Sequence, residues 1–389
     1  MQSIGINLHL SYFRTVYGTG WETIVKPRLT ALGVRHVRDA GTVEASDDWM
    51  QTVYGRMNEL GSARIKFNLI LKPAEGSTDY TRADHLDRLI QYAGASVESF
   101  EGLNEHDLSG RTNWVTEVRS FQKAIHAKLK SDARTAGLPL FGPAMAHPVN
   151  APRVGDLSAY MNYGALHPYP GGSRPLATVS THISYGRSIN GSRPLVVTET
   201  GYHTAQHWDG DHPHIAEDAE ARYVPRLYLD YFTAGFARTY LYELIDEGTS
   251  DTLREERFGL LRTDGTPKPA YASLRNLITV LADPGPAFTP RGLSFTLSGD
   301  TTNVRRLLLA KRDGRFYLVL WHDAFSWDLA TLRTTPPSAK PVTLTLASAA
   351  GRIRTIAVLQ SDQPAGEWTG ATEVALVVPD SPLVIEITP

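Results

Sequence analysis

The feature that most limits what this chain can fold into is an alternation. Short strand-like runs and longer helix-like runs take turns eight times over about 280 residues. The strand-like runs are Ser3 to Leu10, Val34 to Arg38, Arg64 to Leu71, the run from Val97 that ends at Asn104-Glu105, Pro139 to Gly142, Tyr163 to His167, Leu195 to Glu199, and Ala237 to Tyr242. The helix-like runs are Trp21 to Leu32 closed by Gly33, Asp47 to Leu60 with Gly61 as C-terminal cap, and Thr81 to Ala93 with Asp84 as capping partner. They continue with Asn113 to Ser131, Pro175 to Ile189, Glu217 to Ala234 and Pro267 to Ala282; the helix after the fifth strand is the least defined. Such an alternation closes most readily into an α/β fold of the (β/α)8 type, a TIM barrel. An open doubly wound sheet would carry a glycine-rich phosphate loop after its first strand, and Gly18-Thr19-Gly20 is a poor one.

At Asp283-Pro284-Gly285-Pro286 the helical period stops. Seven short apolar runs follow: Leu293 to Leu297, Val304 to Ala310, Phe316 to Trp321, Val342 to Leu346, Ile353 to Leu359, Glu373 to Val378 and Leu383 to Ile387. They predict a smaller C-terminal β-sandwich over 285–389, behind a barrel over 1–284. Its Trp321, Trp327 and Trp368 are expected to be buried, so the sandwich should brace the barrel. A net charge of −2 offers no basic surface for nucleic acid or anionic membrane, and the apolar runs are too short to span a bilayer. With no cysteine there is no disulfide and no thiolate zinc site. Zero cysteine fits an exported bacterial enzyme, so a secreted or periplasmic location is expected, with a cytoplasmic one left open. Nothing in the sequence fixes the oligomeric state.

In such barrels the reacting groups sit at the C-terminal ends of the strands. Two carboxylates lie there: Glu105 after strand four, in EGLNEHD, and Glu199 at the end of strand seven, in LVVTETGYH. Facing each other across the barrel mouth, they could serve as the acid/base and nucleophile of glycosidic bond cleavage. Each alone would more readily be a solvated loop glutamate. Asn104 beside Glu105 is placed to bind a sugar hydroxyl.

Taken together these positions resemble clan A of the glycoside hydrolases, the retaining (β/α)8 enzymes. The resemblance covers residues 3 to 282. It rests on Asn104-Glu105, Glu199, Arg38 ending strand two, Phe141-Gly142-Pro143-Ala144, His167 and Tyr169 ending strand six, and FGLLRTDGTPKPAY, Phe258 to Tyr271. It implies that Glu105 is the acid/base and Glu199 the nucleophile, with Arg38 near the nucleophile and Tyr169 touching it. The clan often ends strand eight with tryptophan. Here TYLYELIDEG places Tyr240, Tyr242 and Glu243 instead, which leaves the sugar preference open.

Other candidates carry a structural alternative. Glu243 could bind hydroxyls or pair with a barrel arginine. Asn7 and His9, ending strand one, could line the pocket or hold the barrel. Glu101 reads as a buried partner for Arg35 or Arg38. Trp208 and Trp114 are candidate stacking platforms, Trp114 equally a packing residue. His203, His207, Asp209, Asp211, His212 and His214 are ligand types, but their spacing and Gly210 and Pro213 favour a polar lid. No metal and no cofactor are expected. The sequence therefore predicts a retaining glycoside hydrolase acting on an oligo- or polysaccharide. A transglycosylase, or an inactive carbohydrate-binding barrel, is the alternative.

Overall fold

Eight parallel strands form the core of the larger unit in a computed structural model, which describes residues 2–44 and 46–389. They are β1 (Ile4–Asn7), β2 (His36–Gly41), β3 (Lys66–Leu71), β4 (Val97–Glu101), β5 (Leu140–Phe141), β6 (Gly164–Leu166), β7 (Leu195–Thr200) and β8 (Thr239–Leu241). The order β5-β4-β3-β2-β1-β8-β7-β6 closes between its ends. There Phe141 bridges to Tyr163, the Gly142 N–H donates to the Tyr163 carbonyl at 2.8 Å, and Asn162 N–H donates to the Leu140 carbonyl at 2.7 Å. Phe141, Ala144, Ala165, Val196 and Tyr240 fill the interior. Gly5 lets that filling close, because a Cβ there would lie 2.4 Å from the Tyr240 ring.

The helices are α1 (Val16–Thr19), α2 (Lys26–Leu32), α3 (Asp47–Ser62), α4 (Leu86–Ala93), α5 (Trp114–Ser131), α6 (Ala151–Val154), α7 (Val179–Asn190), α8 (Glu217–Thr233) and α9 (Pro269–Leu281). Three differ from expectation. Gly61 is inside α3 rather than its cap, and its bare Cα allows close contact with Ser96. No capping pair opens at Thr81, because Thr81 bonds Asp79 and Asp84 bonds Arg82; α4 begins only at Leu86. The fifth helix is the single turn α6, with Pro148 before it, Pro152 in its first turn and Gly155 in a left-handed conformation after it.

The second unit is a β-sandwich: β9 (Phe295–Gly299), β10 (Val304–Ala310), β11 (Phe316–His322), β14 (Lys340–Ala357), β15 (Gly366–Val378) and β16 (Leu383–Thr388), with a ribbon of β12 (Trp327–Asp328) and β13 (Arg333–Thr334). Two runs expected as separate strands, near 342 and 353, are halves of β14. Its first half pairs with β9, its second with β16, and both pair with β15 across an irregularity between Thr345 and Ala350. This pair of strands turns the corner between layers.

β11 explains how the units meet. Phe316, Leu318 and Leu320 face the sandwich core, while Tyr317, Val319 and Trp321 pack with Leu229 of α8 and Leu277, Val280 and Leu281 of α9. Two-residue alternation thus divides one strand between two cores. Trp321 Nε1 donates to Asp230 at 3.2 Å, and buried Arg226 donates to Asp323 at 3.1 Å and to the Ala324 carbonyl at 2.9 Å. Trp327 is buried in the barrel's outer core, while Trp368 is half-buried. Among the described residues, no helix is long and apolar enough to cross a membrane.

Candidate active site

Glu199 faces the barrel mouth because β7 is irregular. Val197 pairs with Thr239 and Thr200 with Leu241, so three steps of β7 match two of β8. The extra residue lets both Thr198 and Glu199 reach the same cluster of side chains. Gly201 then passes close to the Tyr242 carbonyl, which a Cβ would meet at 2.3 Å. Glu105 arrives differently. Its own backbone is left-handed, with φ 45°, held by its N–H on the Ala144 carbonyl at 3.0 Å. Such strain in a non-glycine residue persists where surroundings enforce it.

The two carboxylates converge on His167. Its Nδ1 lies 2.7 Å from Glu105 Oε1 and 3.7 Å from Glu199 Oε2, and its Nε2 lies 3.0 Å from Thr198 Oγ1. Carboxylate oxygens of Glu105 and Glu199 lie within 4.8 Å of each other. Tyr169 donates its hydroxyl to Glu199 Oε2 at 3.0 Å, and Arg38 Nη1 donates to Glu199 Oε1 at 2.6 Å.

Arg38 is fully buried, and each of its nitrogens is engaged. Nε and Nη2 grip Glu101 at 2.8 and 2.9 Å, Nη2 also meets Asn104 Oδ1 at 2.6 Å, and Nη1 meets Asn7 Oδ1 at 3.0 Å besides Glu199. Five N–H groups face five acceptors, so nothing is left for a sugar. Asn7 is likewise spent, donating to the Thr198 and Leu241 carbonyls at 3.2 Å each. Arg38, Asn7 and His167, read from sequence as substrate-site candidates, thus spend these polar atoms on the carboxylates and the strand ends. Asn104 keeps its amide N–H groups clear of Arg38.

Burial alone would raise the Glu199 carboxyl. The charges of His167 and Arg38 and the bonds from Arg38 and Tyr169 outweigh it and hold the group below the usual carboxylate range. Burial opposes a proton on His167, yet Glu199 and Glu105 overcome it and raise the imidazole.

A second cluster ends β1 and β8. Glu243 is fully buried and meets no arginine; Tyr17 donates to its Oε2 at 2.8 Å. His9 lies beside it, stacked on Tyr12 at 4.6 Å and edge-on to Tyr242 at 5.4 Å. Burial, then the charge of Glu247, pushes the Glu243 carboxyl well up, while burial lowers His9 to about 4. Rings continue from Tyr242 to Phe258 at 5.3 Å and from Phe258 to Tyr169 at 5.8 Å, so an aromatic wall joins both clusters.

The platforms expected from tryptophan are placed otherwise. Trp208 bonds the Asp211 carbonyl and lies under the Arg254 guanidinium, and Trp114 is buried beneath Arg153. From the loop 203–214 it is His212 that reaches the site, edge-on to Tyr169 at 5.7 Å. The sequence reading missed Tyr17, Glu247 and Asn68, held His212 only as part of a polar lid, and gave Phe258 no place in the site. Only Asn68, which donates to Glu101 at 2.6 Å, carried a signal, as an amide inside an apolar strand.

The sequence matches no protein-family model and no curated protein. Solved structures do resemble the fold. A family 39 glycoside hydrolase from Bacteroides cellulosilyticus WH2 aligns with a TM-score of 0.66 at 13% identity, covering 100% of this chain and 81% of its own. A glucosidase from Croceicoccus marinus aligns with a TM-score of 0.59 at 11% identity, covering 95% and 93%. At these identities the likeness is one of fold: a TIM barrel with a C-terminal β-sandwich.

Proposed function

We propose that this chain is a retaining glycoside hydrolase acting on equatorially linked sugars of an oligo- or polysaccharide. The observation that carries the reading is the short approach of the Glu105 and Glu199 oxygens, within 4.8 Å. Retaining enzymes hold their carboxyl groups about 5–5.5 Å apart, whereas inverting ones leave about 6.5–9.5 Å for a water. The surroundings assign the roles. Glu199, held ionised by Arg38, His167 and Tyr169, attacks the anomeric carbon. Glu105 gives its proton to the departing glycosidic oxygen, then takes one from the water that cleaves the glycosyl-Glu199 ester. Asn104 offers its amide to the hydroxyl beside the anomeric carbon. An exported enzyme fits such a substrate.

Azide separates the two roles. In Glu105→Ala an activated aryl glycoside still forms the ester, and azide, which needs no base, should restore turnover and give a glycosyl azide of retained configuration. In Glu199→Ala azide should attack the opposite face and give the inverted product. Exchanged stereochemistry would mean exchanged roles. Near-normal hydrolysis by either variant would sink the double-displacement mechanism.

A further inference from the structure

The cluster at the ends of β1 and β8 is not explained by hydrolysis. His9 Nε2 lies 3.4 Å from Glu243 Oε2 and 3.6 Å from Glu247 Oε1, and one donor atom from each residue falls within 4.8 Å of the others. The two measured separations are long for hydrogen bonds. His9 Nε2, Glu247 Oε1 and Glu243 Oε1 are all buried without a hydrogen-bond partner, and the Glu243 side chain has no exposure at all. Leaving such groups unpaired is costly, so three unpartnered atoms on three clustered side chains call for a shared partner.

We propose that His9 Nε2, Glu243 and Glu247 bind a divalent transition-metal ion of the zinc or manganese class.

The two His9 separations favour this occupant. An ion with bonds of about 2.0–2.1 Å in tetrahedral geometry sets its ligands about 3.3–3.4 Å apart. A ligand ammonium, with bonds of about 2.8 Å, would hold its acceptors about 4.6 Å apart, so the His9 pairs are too close for it. The imidazole argues against calcium or magnesium, which take oxygen ligands. Tyr17, donating to Glu243 Oε2 at 2.8 Å, supplies the outer hydrogen bond that orients a ligating carboxylate. Two carboxylates and one imidazole leave a fourth position open, which a sugar hydroxyl could fill. The catalytic set differs. In Glu105, His167 and Glu199 the oxygens and nitrogens bond one another, Arg38 and Tyr169, and no buried atom of the three is left without a partner.

The test uses the whole chain, stripped with chelator and titrated with ZnCl2 or MnCl2, bound metal being counted by elemental analysis and affinity by calorimetry. One ion per chain is expected. Glu247→Gln and His9→Gln should each weaken it by at least the roughly 10–100-fold that losing an outer-shell partner costs. Pulsed electron paramagnetic resonance of the Mn2+-loaded wild type should show coupling to one imidazole nitrogen, which needs no variant to fold and is lost in His9→Gln. Glu105→Gln should bind metal as wild type does. No stoichiometric binding at millimolar metal would overturn the proposal. So would an ion displaced by Glu105→Gln rather than Glu247→Gln, or retained by both cluster variants and lost in His207→Ala. Binding is read without turnover, so this result and the azide result stand or fall separately.

Discussion

Replacing Tyr169 by phenylalanine removes one oxygen and leaves its ring. Phe258 and His212 hold that ring edge-on at 5.8 and 5.7 Å, so the variant keeps its packing. What goes is the bond from the hydroxyl to Glu199 Oε2 at 3.0 Å. A hydrogen bond to a charged group contributes about 1.5–3 kcal/mol. If it falls wholly on the ionised form, then at about 1.36 kcal/mol per pKa unit the Glu199 pKa climbs by about 1–2 units. The sign follows from the wild type. Glu199 sits below its ordinary value against the pull of burial, so each bond removed moves it up. On the proposed mechanism Glu199 must be ionised to attack, so activity falls as pH drops through this pKa. The acid limb of kcat/KM for an aryl glycoside should therefore begin about 1–2 units higher in Tyr169→Phe. The plateau should fall roughly 10–100-fold as the carboxylate loses its fixed orientation. Tyr169 itself stays a donor throughout, since burial raises its own pKa well above the usual phenol. A lowered plateau with an unmoved limb would refute the electrostatic part. An unchanged profile and rate would remove Tyr169 from the site.

Three further outcomes are expected. Asn104→Ala should lower kcat/KM about tenfold for ordinary glycosides and much less for 2-deoxy glycosides, because only the former offer the hydroxyl its amide would bind; equal losses on both would count against that contact. Trp321→Ala should cost about 3–5 kcal/mol of stability and lower the thermal midpoint, since this fully buried ring lies between sandwich and barrel; an unchanged transition would mean that the interface adds nothing to the fold. Glu220→Gln should stabilise the protein with a pH dependence. Burial raises this carboxyl to about 8, above its unfolded value near 4.3, so its penalty grows as pH rises from one to the other. The gain in urea midpoint should be near zero at acid pH and reach the order of a few kcal/mol above pH 8; a pH-independent gain would contradict this.

The barrel was legible because its signal is periodic and long. Eight runs of alternating character leave few topologies, and β2, β3, β4 and β7 fall within a few residues of their sequence limits. The short connections were less so. α6 is a single turn, and the bend in β14 hid one strand inside two apolar runs. Both depend on tertiary contacts rather than local pattern. In the site, Glu101, Glu105, Glu199, Arg38, His167 and Tyr169 could be placed because strand ends converge in a closed barrel. What could not be read is which groups are spent. Arg38 could be put near Glu199 from sequence, but only the structure shows that five acceptors use all of its N–H groups. The surroundings of Trp208 and Trp114 were hidden for a related reason. An aromatic ring finds whichever cation or core lies nearest, and sequence distance from Glu199 does not reveal it.

In the proposed mechanism the division of labour between the two glutamates follows from how Arg38 is shared. Glu101 takes Nε and one Nη2 hydrogen in a bidentate grip, the strongest geometry available to a guanidinium, and so neutralises the arginine before Glu199 is counted. Glu199 would then be a surplus buried anion, and Tyr169 and His167 supply what is missing. The protein thereby commits three groups to keeping one carboxylate charged. Glu105 has His167 alone, and its side chain is about twice as exposed as that of Glu199, 23% against 11%. The more open of the two is also the one a water can approach, as the second half of a double displacement requires. Exchanging the residues would leave the nucleophile without Arg38 and seal the base away from water.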